Sequence, residues 1–326
     1  MASSPAASRP PAALPGRLAS LTRVADAPRS RRLVAAVLAV LALALAGCGA
    51  GGDDVPPLEV TTPVGDAPAP APGSPAPLPD DAPASTGAAP GLLAPLPPRG
   101  SREGPRICGK TQSVPVAGGR YEVQNNNWGA DTPQCTTAFD TGFVVQARHA
   151  KESGPAAYPS IVVGCNYGTC TRDTPFPRPL ADLGDVRSSW AVTVPDRGDH
   201  NVAYDVWLDP TPRRDGANTG AELMIWLDRT ERVQPIGSER ATVTIGDARW
   251  AVWTGENQGL PVISYVREEP THTVLDLPIS DFVGDATRRG VVDPAWFLTN
   301  VQAGFEPWIG GEGLSTDAYA LTRNGV

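Results

Sequence analysis

The 326-residue sequence has little of what many catalytic and binding chemistries require. Histidine occurs only at His149, His200 and His272, with no pair at helical metal spacing, and there is no C-x-x-C, so no metal site is expected. The pattern G-x-S-x-G is absent, which excludes the common serine nucleophile turn. Lysine is confined to Lys110 and Lys151, and the net charge of −8 with a pI near 5.0 leaves no basic face for a phosphate backbone. A nucleic-acid partner is therefore not expected. Aromatic side chains are missing from the first 120 residues: all eight Trp, six Tyr and six Phe fall between Tyr121 and Tyr319. Only the later part of the chain can build a large core.

Arg29, Arg31 and Arg32 precede an apolar run from Leu33 to Ala46. That run suits the hydrophobic region of an export signal and is too short to span about 30 Å of hydrocarbon. It ends in Leu45-Ala46-Gly47-Cys48, a pattern similar to a bacterial lipobox in which Cys48 is acylated. Conventional cleavage near Ala46 is the alternative. Setting Cys48 aside leaves an even four cysteines in a chain with five, as a secreted domain needs. Residues 1–47 are read as signal with lipobox. Residues 48–105, Pro/Ala-rich and without aromatics, are read as a disordered tether, because they cannot bury enough apolar surface to offset ordering entropy. Residues 106–326 are read as the folded domain, outside the cell and on the membrane only through the lipid anchor.

Within that domain, short segments of period-two alternation are separated by Gly, Pro, Asp and Asn turns, the pattern of a β-sandwich. Ten strands are expected, at 119–124, 141–147, 160–163, 189–194, 201–208, 221–227, 241–245, 249–254, 260–266 and 297–308. One helix is expected over Ser280–Arg289, stopped by Gly290 and covering an edge of the sandwich. Of the three connectivities open to four cysteines, local pairing of Cys108 with Cys135 and Cys165 with Cys170 is the simplest.

Two glutamates interrupt apolar strands, and a carboxylate there is costly unless it is paired or faces a cleft. In Ala221–Leu227, alternation puts Leu223, Ile225 and Leu227 on one face and Glu222, Met224 and Trp226 on the other. In Val301–Trp308, Gln302, Gly304, Glu306 and Trp308 share a face. Asp205 shares a face with Trp207. Carboxylates flanked by flat apolar rings suit glycoside hydrolysis, with one acid to donate a proton and one to attack or activate water. A carbohydrate-binding module would use the same residues as hydroxyl acceptors, so both readings stay open on pattern alone.

Six motifs in order resemble glycoside hydrolase family 12, the endo-β-1,4-glucanases of cellulase clan C. They are Tyr121-Glu122-Val123-Gln124-Asn125-Asn126-Asn127-Trp128-Gly129, Gly164-Cys165 to Cys170, Tyr204-Asp205-Val206-Trp207-Leu208-Asp209-Pro210, Glu222-Leu223-Met224-Ile225-Trp226, Gln234-Pro235-Ile236-Gly237 and Val301-Gln302-Ala303-Gly304-Phe305-Glu306-Pro307-Trp308. The resemblance implies an all-β jelly roll of two curved antiparallel sheets with one short helix, and retaining hydrolysis without a cofactor. It further implies Glu222 as nucleophile, Glu306 as general acid/base and Asp205 as the acid hydrogen-bonded to the nucleophile. Asn126 and Trp128 would line the non-reducing side of the cleft. Asn201, Met224, Trp226, Pro235 and Trp308 would contact sugars nearer the cleaved bond, while Trp207 is read as packing. Asn166, where His is expected, and the altered loop Trp253–Gly259 leave the preferred β-glucan open, xyloglucan and transglycosylation included. A monomer is expected.

Overall fold

The structure, a computed structural model, describes residue 96 and residues 101–326. The export signal, Cys48 and nearly all of the tether lie outside the described residues. In chain order the strands are β1 Arg106–Ile107, β2 Ser113–Val116, β3 Tyr121–Gln124, β4 Gln134–Phe139, β5 Gly142–Ala150, β6 Ser160–Asn166, β7 Thr169–Cys170, β8 Arg178–Pro179, β9 Val186–Thr193, β10 Asp199–Asp209, β11 Ala221–Arg229, β12 Ser238–Ile245, β13 Ala248–Asn257, β14 Leu260–Arg267, β15 Thr273–Pro278, β16 Phe297–Gly311 and β17 Ser315–Arg323. The α-helix, α1, is Ile279–Arg288.

They form the expected jelly-roll sandwich. One sheet runs β1-β4-β5-β17-β9-β15, antiparallel throughout. The other runs β2-β3-β6-β16-β10-β11-β14-β13-β12. It departs from the all-antiparallel expectation at one pairing: β14 lies parallel to β11, with Glu222 opposite Val262. The β12–β13–β14 meander folds back on the sheet so that its last strand, not its first, docks on β11. At one corner β5 pairs with β17 and then with the end of β16, tying the two sheets together.

The core lies between the sheets. Leu223, Ile225 and Leu227 enter it from β11, and Val202, Tyr204, Val206 and Leu208 from β10. Edge-to-face rings fill the middle, with Trp190 on Tyr204 at 4.9 Å and Phe143 on Phe305 at 5.8 Å. The second sheet is the wider, so its core face under β13 and β14 would be open without α1. Phe282 of α1 closes it, 4.9 Å from Trp250 and 5.1 Å from Tyr265. The helix starts and stops one residue earlier than expected, and the chain turns away at Gly290, whose φ of 73° suits glycine.

Both local disulfides are present, Cys108–Cys135 and Cys165–Cys170. Beyond the ten expected strands, β1, β2, β4, β7, β8, β15 and β17 also form. The largest omission is β17, which sits in the middle of its sheet. Its first residues, Ser315, Thr316 and Asp317, are polar and buried, so the segment shows no apolar alternation. Asp317 is satisfied there by Ser315 Oγ at 2.9 Å, Thr193 Oγ1 at 2.7 Å and the Arg102 guanidinium at 2.6 Å.

Candidate active site

The three acids stand on neighbouring strands of the wider sheet, on the face turned away from the core. Across β11, β10 and β16 the register sets Trp207 opposite Glu222, and Asp205 opposite both Met224 and Gln302. Farther along, Ala203 lies opposite Trp226 and Gly304, and Asn201 opposite Glu306. The curl of the sheet makes this face a cleft of about 920 Å³, lined by Asp205, Glu222, Glu306, Met224, Trp207 and Tyr158 among others. A Cβ at Gly304 would come within 2.3 Å of the Pro159 carbonyl oxygen, so glycine lets the start of β6 press onto β16. That contact sets Tyr158 on the cleft floor, where its hydroxyl donates to the Ala203 carbonyl at 2.9 Å.

Each acid is held differently. Glu306 is clamped twice by the buried Asn201: its own N–H donates to Asn201 Oδ1 at 2.9 Å, and Asn201 Nδ2 donates to its carboxylate at 2.5 Å. Asp205 Oδ2 accepts from Trp207 Nε1 at 2.8 Å, while Asp205 Oδ1 is buried without a partner. The expected Asp205–Glu222 hydrogen bond is thus not formed in this arrangement: the indole N–H holds one oxygen, and the other stays unpaired.

All three carboxyls hold their protons more tightly than usual. Burial pushes Glu222 up to about 7. Burial and then the Glu222 charge push Glu306 up to about 8, against the lowering effect of the Asn201 hydrogen bond. Asp205 is raised well above the usual carboxylate range, by burial first and the Glu222 charge second. Glu222 is thus the first of the two glutamates to ionise, and its charge keeps the proton on Glu306. A carboxylate facing a protonated acid across an open cleft can attack an electrophilic carbon while the acid protonates the departing oxygen.

The cleft also takes in Asn126, with its φ of 40°, and Trp128, whose side chain is 56% exposed. Lys151 Nζ lies 5.7 Å from the Trp128 ring centroid and donates to the Gly129 and Pro155 carbonyls, both at 2.9 Å, which fixes this wall. Asn125 and Asn127 turn inward, bonding the carbonyls of Gly109 and Gln134, and of Thr132. Other expected sugar contacts are not on the cleft surface. Asn201 is fully buried, and its amide is spent on Glu306. Trp226 is 2% exposed beneath Val233, with its N–H toward Met224 Sδ, and Pro235 is buried. Trp308 packs on that same cluster, part-buried, with its indole nitrogen unpartnered.

Sequence reasoning missed several lining groups. Gln124 Nε2 donates to Gln302 Oε1 at 2.6 Å, and Gln302 Nε2 to Asn300 Oδ1 at 2.9 Å, a polar floor beside Asp205. Alternation puts Gln302 on the face of Glu306, so that signal was present. Tyr158 lies in a loop and carries no periodic signal at all. Trp207, read as packing, lines the cleft as well as bonding Asp205.

The sequence profile of glycosyl hydrolase family 12 matches residues 119–324. The chain belongs to this family. Among its relatives, a probable cellulase, Cel12b, of Mycobacterium tuberculosis is 31% identical over 151 residues, 46% of this chain and 99% of the relative. A xyloglucan-specific endo-β-1,4-glucanase A of Emericella nidulans is 28% identical over 66% of this chain and 90% of its own length. Among solved structures, the endoglucanase Cel12A of Rhodothermus marinus superposes with a TM-score of 0.65 at 41% identity, covering 67% of this chain and 97% of that one. The family 12 chain described here is accordingly a glycoside hydrolase of the endoglucanase type. Its β1 and β2 precede the matched residues yet pair with β4 and β3, so they belong to the same sandwich.

Proposed function

We propose that this family 12 hydrolase is a retaining endo-β-1,4-glucanase acting on soluble or amorphous β-glucan. Glu222 is the nucleophile, Glu306 the general acid/base and Asp205 the acid that supports Glu222. The observation carrying this reading is that Glu222, Glu306 and Asp205 line one cleft, with Glu306 raised by burial and then by the Glu222 charge. Ionised Glu222 attacks the anomeric carbon, the glycosidic bond breaks, and the Glu306 proton goes to the leaving oxygen. The ester on Glu222 carries no charge, so Glu306 loses one of the two influences that raise it and accepts a proton from the incoming water. Attack by that water frees the sugar and returns Glu222 as carboxylate. Asp205, raised well above the usual carboxylate range by burial and the Glu222 charge, has a buried Oδ1 through which its proton can be donated to Glu222 when Glu222 is a carboxylate.

The exposed indole of Trp128 offers a glucosyl ring a stacking platform, with Asn126 beside it as a hydroxyl partner. Unbranched β-1,4-glucan is favoured over xyloglucan because the Rhodothermus endoglucanase is 41% identical, whereas a Bacillus licheniformis family 12 xyloglucanase is 26% identical at a TM-score of 0.62. We further propose that Cys48 is acylated and that residues 48–105 tether the hydrolase domain, residues 106–326, to the outer face of the cell membrane. The test is reducing-end release from carboxymethylcellulose, mixed-linkage β-glucan and xyloglucan. Activity should be highest on the first two and should fall at least about 10³-fold in Glu222→Gln and Glu306→Gln. Binding without hydrolysis by the parent protein would replace this reading with a glucan-binding one.

A further inference from the structure

The concave face of the wider sheet continues past the catalytic cleft. Trp226 pairs with Val266 of β14, and Val266 with Ala251 of β13, so alternation keeps Ala251, Trp253 and Val266 on the face that carries Glu222 and Met224. These side chains line a second groove of about 390 Å³. The segment 230–237 forms the ridge between the two. Its Val233 is buried on Trp226 and Met224, and Arg229 Nη1 pins it by donating to the Glu231 carbonyl at 3.3 Å and the Val233 carbonyl at 2.7 Å.

Nothing in the hydrolytic site uses this groove, yet its chemistry is specific. The Trp253 indole supplies a flat apolar surface. Glu239, opposite Trp253 in the β12–β13 ladder, and Glu231 bring exposed carboxylates to the rim as hydroxyl acceptors. Around it Asp228 is paired with His272 and Glu268 with Arg249, and Arg229 and Arg267 both donate to backbone carbonyls, which leaves Glu231 and Glu239 as the rim charges. An anionic ligand is therefore disfavoured, and a neutral polyhydroxylated one fits. Continuity selects the occupant: from Met224 in the cleft to Val266 in the groove is one strand spacing and two residues, about 8 Å, a span that a short stretch of one glucan chain covers.

We propose that this groove is an auxiliary binding site for a neutral β-glucan chain, with Trp253 stacking on a glucosyl ring and Glu239 accepting its hydroxyls. The inference rests on the glucanase reading and extends it: a long chain cut at Glu222 is also held beyond the 230–237 ridge, whereas a short oligosaccharide occupies the cleft alone.

The experiment compares the full chain with its Trp253→Ala and Trp253→Phe variants on mixed-linkage β-glucan and on cellotetraose. For the polymer, Trp253→Ala should raise KM about fivefold at unchanged kcat, and Trp253→Phe should restore part of the loss. Cellotetraose kinetics should not change. In parallel, Glu222→Gln protein should be retarded in a native gel containing β-glucan, and adding Trp253→Ala should reduce that retardation. Unchanged polymer KM and unchanged retardation would overturn the proposal, as would an equal loss on polymer and tetraose, which would put Trp253 in the service of the cleft or the fold. A parent protein that hydrolyses neither substrate would instead defeat the glucanase reading, and the gel would still decide the groove.

Discussion

Replacing Glu306 by Gln should make the protein more stable and less active, by an amount that depends on pH in a defined direction. The Glu306 carboxyl moves from an ordinary 4.5 to about 8 in the folded protein. The folded state therefore binds its proton more tightly than the unfolded chain does. The stability linked to that proton is fully present below about pH 4.5 and is lost as pH rises toward 8. At 1.36 kcal/mol per pKa unit, and about three units above the unfolded value, the folded state has lost about 4 kcal/mol at pH 7.5. Glutamine keeps the shape and the contact to Asn201, since its amide oxygen accepts from Asn201 Nδ2 and the backbone N–H to Asn201 Oδ1 is untouched. It carries no proton to lose.

Thermal melts at pH 4.5, 6 and 7.5 test this. For a domain of this size, about 4 kcal/mol corresponds to a rise of roughly 8–16 °C at pH 7.5. Roughly half that rise is expected at pH 6, and nearly none at pH 4.5. A variant that melts with the parent at all three values, or below it at pH 7.5, would show that the folded protein does not hold the Glu306 proton as described. An equal gain at every pH would assign the effect to packing.

The pH dependence of kcat/KM should be a narrow bell, rising as Glu222 ionises near pH 7 and falling as Glu306 does near pH 8; a flat profile from pH 5 to 9 would contradict the assigned protonation states. Asn201→Ala should lower kcat about 10²-fold with a smaller effect on KM, and should move the falling limb to higher pH, because the lost hydrogen bond is the one that lowers Glu306. A falling limb that moves to lower pH would refute that role for Asn201. Removing the Cys108–Cys135 bridge, which closes a 27-residue separation, should cost about 3–4 kcal/mol in urea unfolding at unchanged activity, since neither sulfur touches the cleft.

What could be read in the sequence follows the reach of its periodicities. Alternation in Ala221–Leu227 and Val301–Trp308 separates core faces from cleft faces, and the structure keeps that separation. The cysteine spacings gave the two local bridges. Depth, partners and register are another matter. Asn201 enters as a sugar contact only through the family resemblance, and its place opposite Glu306 comes from the β10–β16 pairing, about a hundred residues apart in the chain. Trp226 is a like case: period two names its face, and the segment 230–237, with the buried Pro235 in it, covers part of that face. In β17 the sandwich buries hydroxyls and a carboxylate where a strand reader looks for apolar residues. Tyr158, in a loop, owes its place on the cleft floor to the close approach of β6 at Gly304, a tertiary contact with no local signature.

The same pairing explains how one residue can serve as acid and then as base. Three influences act on Glu306: burial and the Glu222 charge raise it, and the Asn201 hydrogen bond lowers it. Only the Glu222 charge changes during turnover, because forming the glycosyl ester neutralises it, whereas burial and the Asn201 clamp persist. Burial is the larger cause and the Glu222 charge the next, so loss of that charge lowers Glu306, the direction it needs to take a proton from water. A stronger donor than Asn201 would lower Glu306 further and weaken it as the acid. With no donor, Glu306 would rise further and be slower to give up its proton after the ester forms. The amide at position 201, neutral and held at both ends, lies between those two limits.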